Sequence, residues 1–142
     1  MKINIITIND FFNFYKNYTW DKDIDNMINL YDEKVIIFDT WDIGFIYGIE
    51  KWSAIITDWL TSLGEEKVNV TFEEISIQED EGKIGFASAI IQYQAISKDN
   101  NILRSMKNRI SIGFVQKQGT WKVTHQHISV PIDSNLKAIF TI

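Results

Sequence analysis

The sequence predicts an α+β fold in which helices come first and an antiparallel sheet follows. Three observations carry this expectation. Apolar residues recur at helical spacing in three stretches that end at Gly64. From Lys67 onward the residues alternate with a period of two, as strands do. The alternating runs are broken only by turn pairs such as Glu81-Gly82 and Gln118-Gly119. Helices followed by consecutive strands, with no repeat and no linker, make one domain over 1–142 with its helices on one face of the sheet.

The elements follow in order. Ile8, Phe11, Phe12, Tyr15 and Tyr18 mark the buried stripe of a first helix, with Asn9 or Asp10 as its cap. Asp23 caps a short second helix whose face is Ile24, Met27, Ile28 and Tyr31. The β-branched run Val35 to Asp39 is a short strand, and Gly44 and Gly48 bracket a loop. Trp52, Ile55, Ile56, Trp59, Leu60 and Leu63 form the third helix, stopped by Gly64. Val68, Val70 and Phe72 alternate in one phase, and Ile75 and Ile77 in the other, so a β-bulge is expected at Glu73-Glu74. Long strands then cover Ile84 to Ser97, Leu103 to Lys117 and Thr120 to Val130.

Composition narrows the function. With 142 residues, 45% hydrophobic and 13% aromatic, the chain can bury a sizeable core. The net charge of −5 and the scattered basic residues argue against nucleic acid. There is no cysteine, hence no disulfide or thiol chemistry. No apolar run has membrane-span length and no signal peptide is evident, so a cytoplasmic location without membrane contact is expected.

Both histidines lie on the last strand. Strict alternation puts Trp121, Val123, His125 and His127 on one face with Ile110, Ile112 and Phe114. That bulky face belongs under the helices. The other face carries Arg109, Ser111, Gly113, Val115, Thr124, Gln126, Ile128 and Val130, a mixed surface suited to a homodimer contact. Its alternative is simple exposure to solvent.

The ending Gly119-x-Trp121-Lys122-Val123-x-His125-x-His127-x-Ser129-x-Pro131 resembles that of SnoaL-like domains and ketosteroid isomerase homologues. The stretch Leu30-Tyr31-x-x-x-Val35-x-x-Phe38-Asp39, with Gly48 beyond it, is similar to the first half of the same group. These belong to the nuclear-transport-factor-2-like superfamily, which also holds scytalone dehydratase. The resemblance implies a cone-shaped roll, with three N-terminal helices on a strongly bent antiparallel sheet. It also implies a pocket for a small hydrophobic molecule. Two kinds of function are compatible with it. One is isomerase, cyclase or dehydratase proton transfer on a carbonyl compound, without a cofactor. The other is a non-catalytic ligand-binding or dimerisation module.

Residue by residue, the resemblance is uneven. Asp39 matches the aspartate that abstracts a proton in ketosteroid isomerases, and Tyr15 has the spacing of their oxyanion-donating tyrosine. Their second donor, a protonated aspartate on the penultimate strand, has no counterpart: Asn108, Ile110 and Ile112 hold the inward positions. His125 or His127 would have to replace it. Thr40 stands where a proline is usual. Trp41 and Asp42 are expected at the pocket mouth, as a wall and a reserve acid. Trp59, Phe114, Trp121 and Asn108 are candidate ligand contacts. Each has a structural alternative: Asp39 as a loop cap, Tyr15 and the aromatics as core, the histidines as bonded core groups. Two His and one Asp match a facial triad in type, but the resembled group implies no metal. The sharpest expectation is that Asp39, Tyr15 and His127 line one cavity bordered by Trp41.

Overall fold

The structure, a computed structural model, describes residues 3–42 and 44–142. Helices α1 (Asp10–Asp21) and α2 (Ile24–Asn29) precede strand β1 (Tyr31–Phe38). Strand β2 (Phe45–Tyr47) and helix α3 (Ile49–Ser62) lead into β3 (Lys67–Asp80), β4 (Ile84–Ile96), β5 (Ile102–Lys117) and β6 (Thr120–Ser129). Most of the expected helical stripes are buried: Phe11, Phe12, Tyr15 and Tyr18 on α1, and Trp52, Ile56 and Leu60 on α3. Ile55 is exposed, and Tyr31, expected on the face of α2, instead begins β1 because α2 stops at Asn29. Asp23 caps α2 by accepting from the Asn26 N–H. Asn9 makes no such bond, and the Asp10 carboxylate instead accepts from the Ile6 and Thr7 N–H groups. Between Gly44 and Gly48, where a plain loop was expected, Phe45 to Tyr47 pair with the end of β1.

The strands form one sheet in the order β2-β1-β6-β5-β4-β3. The meander from β3 to β6 is antiparallel as expected. The sheet as a whole is mixed, because β1 pairs with β6 in parallel. Alternation in a sequence reports which face a residue occupies and is blind to the direction of a distant partner strand.

Two bulges shape this sheet. One is the expected slip in β3, between Glu73 and Ser76, with Glu74 at φ 54°. The other was not foreseen. In β6, Gly113 pairs with His125 but Phe114 pairs with Val123, so Thr124 is an extra residue. A one-residue slip exchanges the faces of everything beyond it. Trp121 and Val123 point inward, and so do Gln126 and Ile128, all four buried. His125 and His127 point outward, beside Ile36 and Phe38 of β1. This overturns the expected placement of the histidines under the helices. It also removes Gln126 and Ile128 from the outer face.

One end of the helix-covered face, near the Glu81-Gly82 and Gln118-Gly119 turns, is packed with aromatics. Phe11 meets Phe114 edge-on at 5.5 Å and Phe12 meets Phe72 at 4.9 Å. Ile8 lies so close over Gly85 that an added Cβ there would collide with its Cδ1. Trp121 is buried in the same end and its N–H donates to the Ile5 carbonyl. Phe114 and Trp121 are therefore buried in the core and neither lines the cavity described below, where they were expected as ligand contacts.

Candidate functional site

The other end of the same face is open. A cavity of about 820 Å³ lies between α3 and the sheet, near the turn that joins β4 to β5. Tyr15, Asp39, Trp41, Asp42, Trp59 and Asn108, all expected at the site, line it. Trp52, Tyr93 and Gln126 line it as well.

Asp39 stands just past the end of β1, in the connection to β2. Its N–H donates to the Gly44 carbonyl, 2.9 Å away. Gly44 has φ 81°, and a Cβ there would press on the Asp39 carbonyl, so this turn needs glycine. The Asp39 carboxylate accepts one local bond, from the Thr40 N–H at 2.8 Å. Burial raises its pKa above the usual carboxylate value; the Thr40 N–H works against this and the nearby Asp42 charge adds to it.

The Thr40 hydroxyl organises the neighbouring wall. It donates to the Ile128 carbonyl at 2.9 Å and accepts from Asn108 Nδ2 at 3.3 Å. Its only proton is committed to Ile128, so it can only accept from the amide. Asn108 Oδ1 is thereby turned away from Thr40. It is fully buried and has no partner among the described residues.

Tyr15 on α1 and Tyr93 on β4 share a hydrogen bond between their hydroxyls at 2.8 Å. Burial raises both pKa values, with mutual repulsion adding for Tyr15, so both stay protonated. Two phenols have two protons and their mutual bond uses one. The pair keeps one O–H to donate. The Asp39 charge contributes to both shifts, which makes it an electrostatic neighbour of the pair.

A third polar group closes the floor. Tyr31 donates to Gln126 Oε1 at 2.7 Å, leaving buried Gln126 Nε2 without a partner among the described residues. Trp52 Nε1 lies beside the Tyr31 oxygen, close enough to favour its ionised form, but makes no bond of good geometry. Buried polar groups are nearly always paired in folded proteins. Two unpaired amide atoms on one cavity wall therefore mark a place built to meet something else.

The histidines are elsewhere. His125 Nδ1 bonds the Ile36 carbonyl at 2.9 Å, and both rings stand edge-on to Phe38 on the outer face. Trp41 borders the cavity as expected and stacks on Phe140 of the C-terminal segment at 6.1 Å. Tyr93, Gln126 and Tyr31 were missed by sequence reasoning. A signal for Gln126 existed: apolar residues fall at 121 and 123, then at 128 and 130, the same change of phase that revealed the bulge in β3. Among the described residues, no three His, Cys, Asp or Glu side chains converge as a metal site. No helix among them is long and apolar enough to cross a membrane.

This fold and cavity define a class. Residues 8–133 match the family model of the SnoaL-like domain, and the chain belongs to that family. Solved structures agree on the fold. A nuclear-transport-factor-2-like protein of unknown function from Pseudomonas putida superposes with a TM-score of 0.81 at 19% identity, over 95% of this chain and 92% of that one. Aln2 from a Streptomyces species gives 0.74 at 11% identity, over 86% of each chain. ActVI-ORFA from Streptomyces coelicolor gives 0.74 at 9% identity, over 86% of this chain and 92% of that one. No functionally curated protein matches the sequence.

Proposed function

We propose that the cavity performs acid–base proton transfer on a small hydrophobic carbonyl compound, as an isomerase, cyclase or dehydratase would. One observation carries the reading. Asp39 and the Tyr15–Tyr93 pair line the same largely apolar cavity. Ionised Asp39 takes a proton from the carbon next to the carbonyl. The C–H electron pair becomes a C=C bond and the carbonyl electrons move to oxygen, where the free phenol O–H donates to the developing charge. Protonated Asp39 then returns the proton to another carbon, or gives it to a departing hydroxyl that leaves as water. The raised Asp39 pKa makes it a stronger base, and burial keeps the phenols in the donor form.

The test is hydrogen exchange. Enones and hydroxyketones of ring size are incubated with the protein in D2O, and NMR follows deuterium entering beside the carbonyl. Exchange should fall by about 10²–10⁴-fold in Asp39→Asn. If no compound exchanges faster with the native protein than with Asp39→Asn, proton transfer is wrong. If compounds bind without exchange, the cavity is a binding site only.

We also propose that the protein is a homodimer through the outer sheet face. Ile36, Phe45, Tyr47, Ile84 and Phe86 are exposed there, beside Arg109 and Ser111. Large apolar side chains gathered on one face favour a covered surface. Light scattering should give twice the 16.6 kDa chain mass, and Phe86→Lys should return it to one. A single-chain mass for the native protein at micromolar concentration would refute the dimer.

A further inference from the structure

The cavity lining has a charge pattern that reaches beyond the proton-transferring carboxylate. Asp39, Asp42 and Asp58 lie on it, against one cation, Arg104. Arg104 is already engaged: its guanidinium forks onto Glu66, at 2.6 and 3.3 Å. No lysine or histidine among the described residues lines the cavity. The deeper walls are rings (Tyr15, Trp52, Trp59, Tyr93) and the unpaired polar atoms there are neutral: Asn108 Oδ1 accepts, and Gln126 Nε2 and Trp52 Nε1 donate.

An anion entering this space would lose its water and gain no countercharge. It would also sit near the Asp39 carboxylate. An uncharged ligand with a carbonyl and a hydroxyl finds donors in the free phenol O–H and Gln126 Nε2 for the first and an acceptor in Asn108 Oδ1 for the second. A cation finds aromatic faces and carboxylates. We propose that the cavity is a charge filter, admitting uncharged or cationic ring compounds and refusing those that carry carboxylate, sulfonate or phosphate. This rests on the reading of the cavity as the working site, and it makes the substrate a carbonyl compound that carries no anionic group. The inner part of the filter outweighs the rim. Asp39 acts from a water-poor wall, whereas Asp42 and Asp58 are exposed, and salt screens them beyond about 8 Å at physiological ionic strength.

The test uses two dyes with one skeleton, phenylnaphthylamine (uncharged) and anilinonaphthalene sulfonate (an anion at every working pH). Fluorescence titration gives affinities. The side-chain amide NMR signals of Asn108 and Gln126 report whether a dye is inside. The uncharged dye should shift both signals and bind at least about tenfold more tightly, which is about 1.4 kcal/mol. Asp39→Asn should shrink the ratio at any salt concentration. The pair Asp42→Asn with Asp58→Asn should shrink it only at low salt. A sulfonate that binds without moving the amide signals supports the filter, since it sits elsewhere. Equal affinities with both dyes inside would overturn the filter and leave the proton-transfer reading standing. If the uncharged dye fails to move either signal, the filter falls together with the cavity as the working site.

Discussion

The two ends of the helix-covered face are built from the same strands and behave oppositely. At the packed end, Phe11, Phe12, Phe72 and Phe114 interlock edge-to-face. At the open end, Asp39, Asn108 and Gln126 surround a cavity with two of their polar atoms unpaired. Apolar contact and close packing stabilise the first end. The second gives up such contacts and leaves buried amides unpaired, a cost of about 1–3 kcal/mol for each group. The packed end thus carries the stability that lets the open end stay polar and loosely packed. Changes at the two ends should therefore separate folding from ligand binding.

The largest expected effect is at the packed end. Phe11→Ala empties the centre of the aromatic cluster and should cost about 3–5 kcal/mol in urea unfolding. The folded fraction should still bind the uncharged dye. Loss of dye binding in step with stability would mean that the two ends are not separable.

Asn108→Leu should do the reverse. It removes an unpaired buried acceptor together with the Nδ2 donor bonded to Thr40, two opposed effects, so stability should change by less than about 1.5 kcal/mol in either direction. Affinity for hydroxyl-bearing ligands should drop about tenfold, measured by calorimetry against the same ligand without its hydroxyl. A stability loss above 3 kcal/mol with unchanged affinity would assign Asn108 to the framework instead.

Thr40→Val keeps the N–H that holds Asp39 but deletes the hydroxyl bonded to Ile128 and Asn108. About 1 kcal/mol of stability should go. The Asn108 amide signals should broaden or move while the Asp39 titration, followed by carbon NMR, stays in place. A displaced Asp39 titration would make the hydroxyl part of the proton site.

The smallest effect contrasts two aspartates at opposite ends of β1 and has opposite signs. Asp39 has a raised pKa, so between the ordinary carboxylate value and its own the folded chain holds more protons than the unfolded one. Its contribution to stability therefore improves as pH falls through that window. Asp32 is lowered: burial pushes it up, but the Lys117 ammonium at 2.7 Å and the Lys34 N–H outweigh that. Its contribution is present above the ordinary value and is lost as pH falls through its own. Against Asp39→Asn, the native protein should gain in urea midpoint on acidification; against Asp32→Asn it should lose. The same sign for both would show that the Asp39 carboxyl is not held in a water-poor site.

Much of this was legible in the sequence. Helical stripes, turn pairs and the β3 bulge follow from local periodicity, and the structure keeps the turns, the bulge and the stripes except at Tyr31, which begins β1, and Ile55, which is exposed. Tyr15, Trp59 and Asn108 reach the cavity because single elements of known phase carry them there, and Asp39, Trp41 and Asp42 because they follow β1 directly. What failed depended on one residue, Thr124. Extending a strict alternation through it sent His125 and His127 inward and Gln126 outward. Phe114 and Trp121 failed differently: they face inward as expected, but α1 covers their end. Which half of an apolar face stays uncovered depends on where helices cross it, and periodicity within a strand does not contain that.

The β6 bulge also bears on how this fold changes over generations. Substitutions alter a cavity wall one side chain at a time. Loss of the Thr124 codon alone would erase the bulge and leave Gln126 and Ile128 facing inward, because the extra residue itself is what goes. The same length of chain without a bulge would instead turn Gln126 and Ile128 outward and carry two imidazoles into the cavity. The choice between an amide-lined and a histidine-lined wall is thus made by the path of one residue, and no substitution of a wall residue reproduces that exchange.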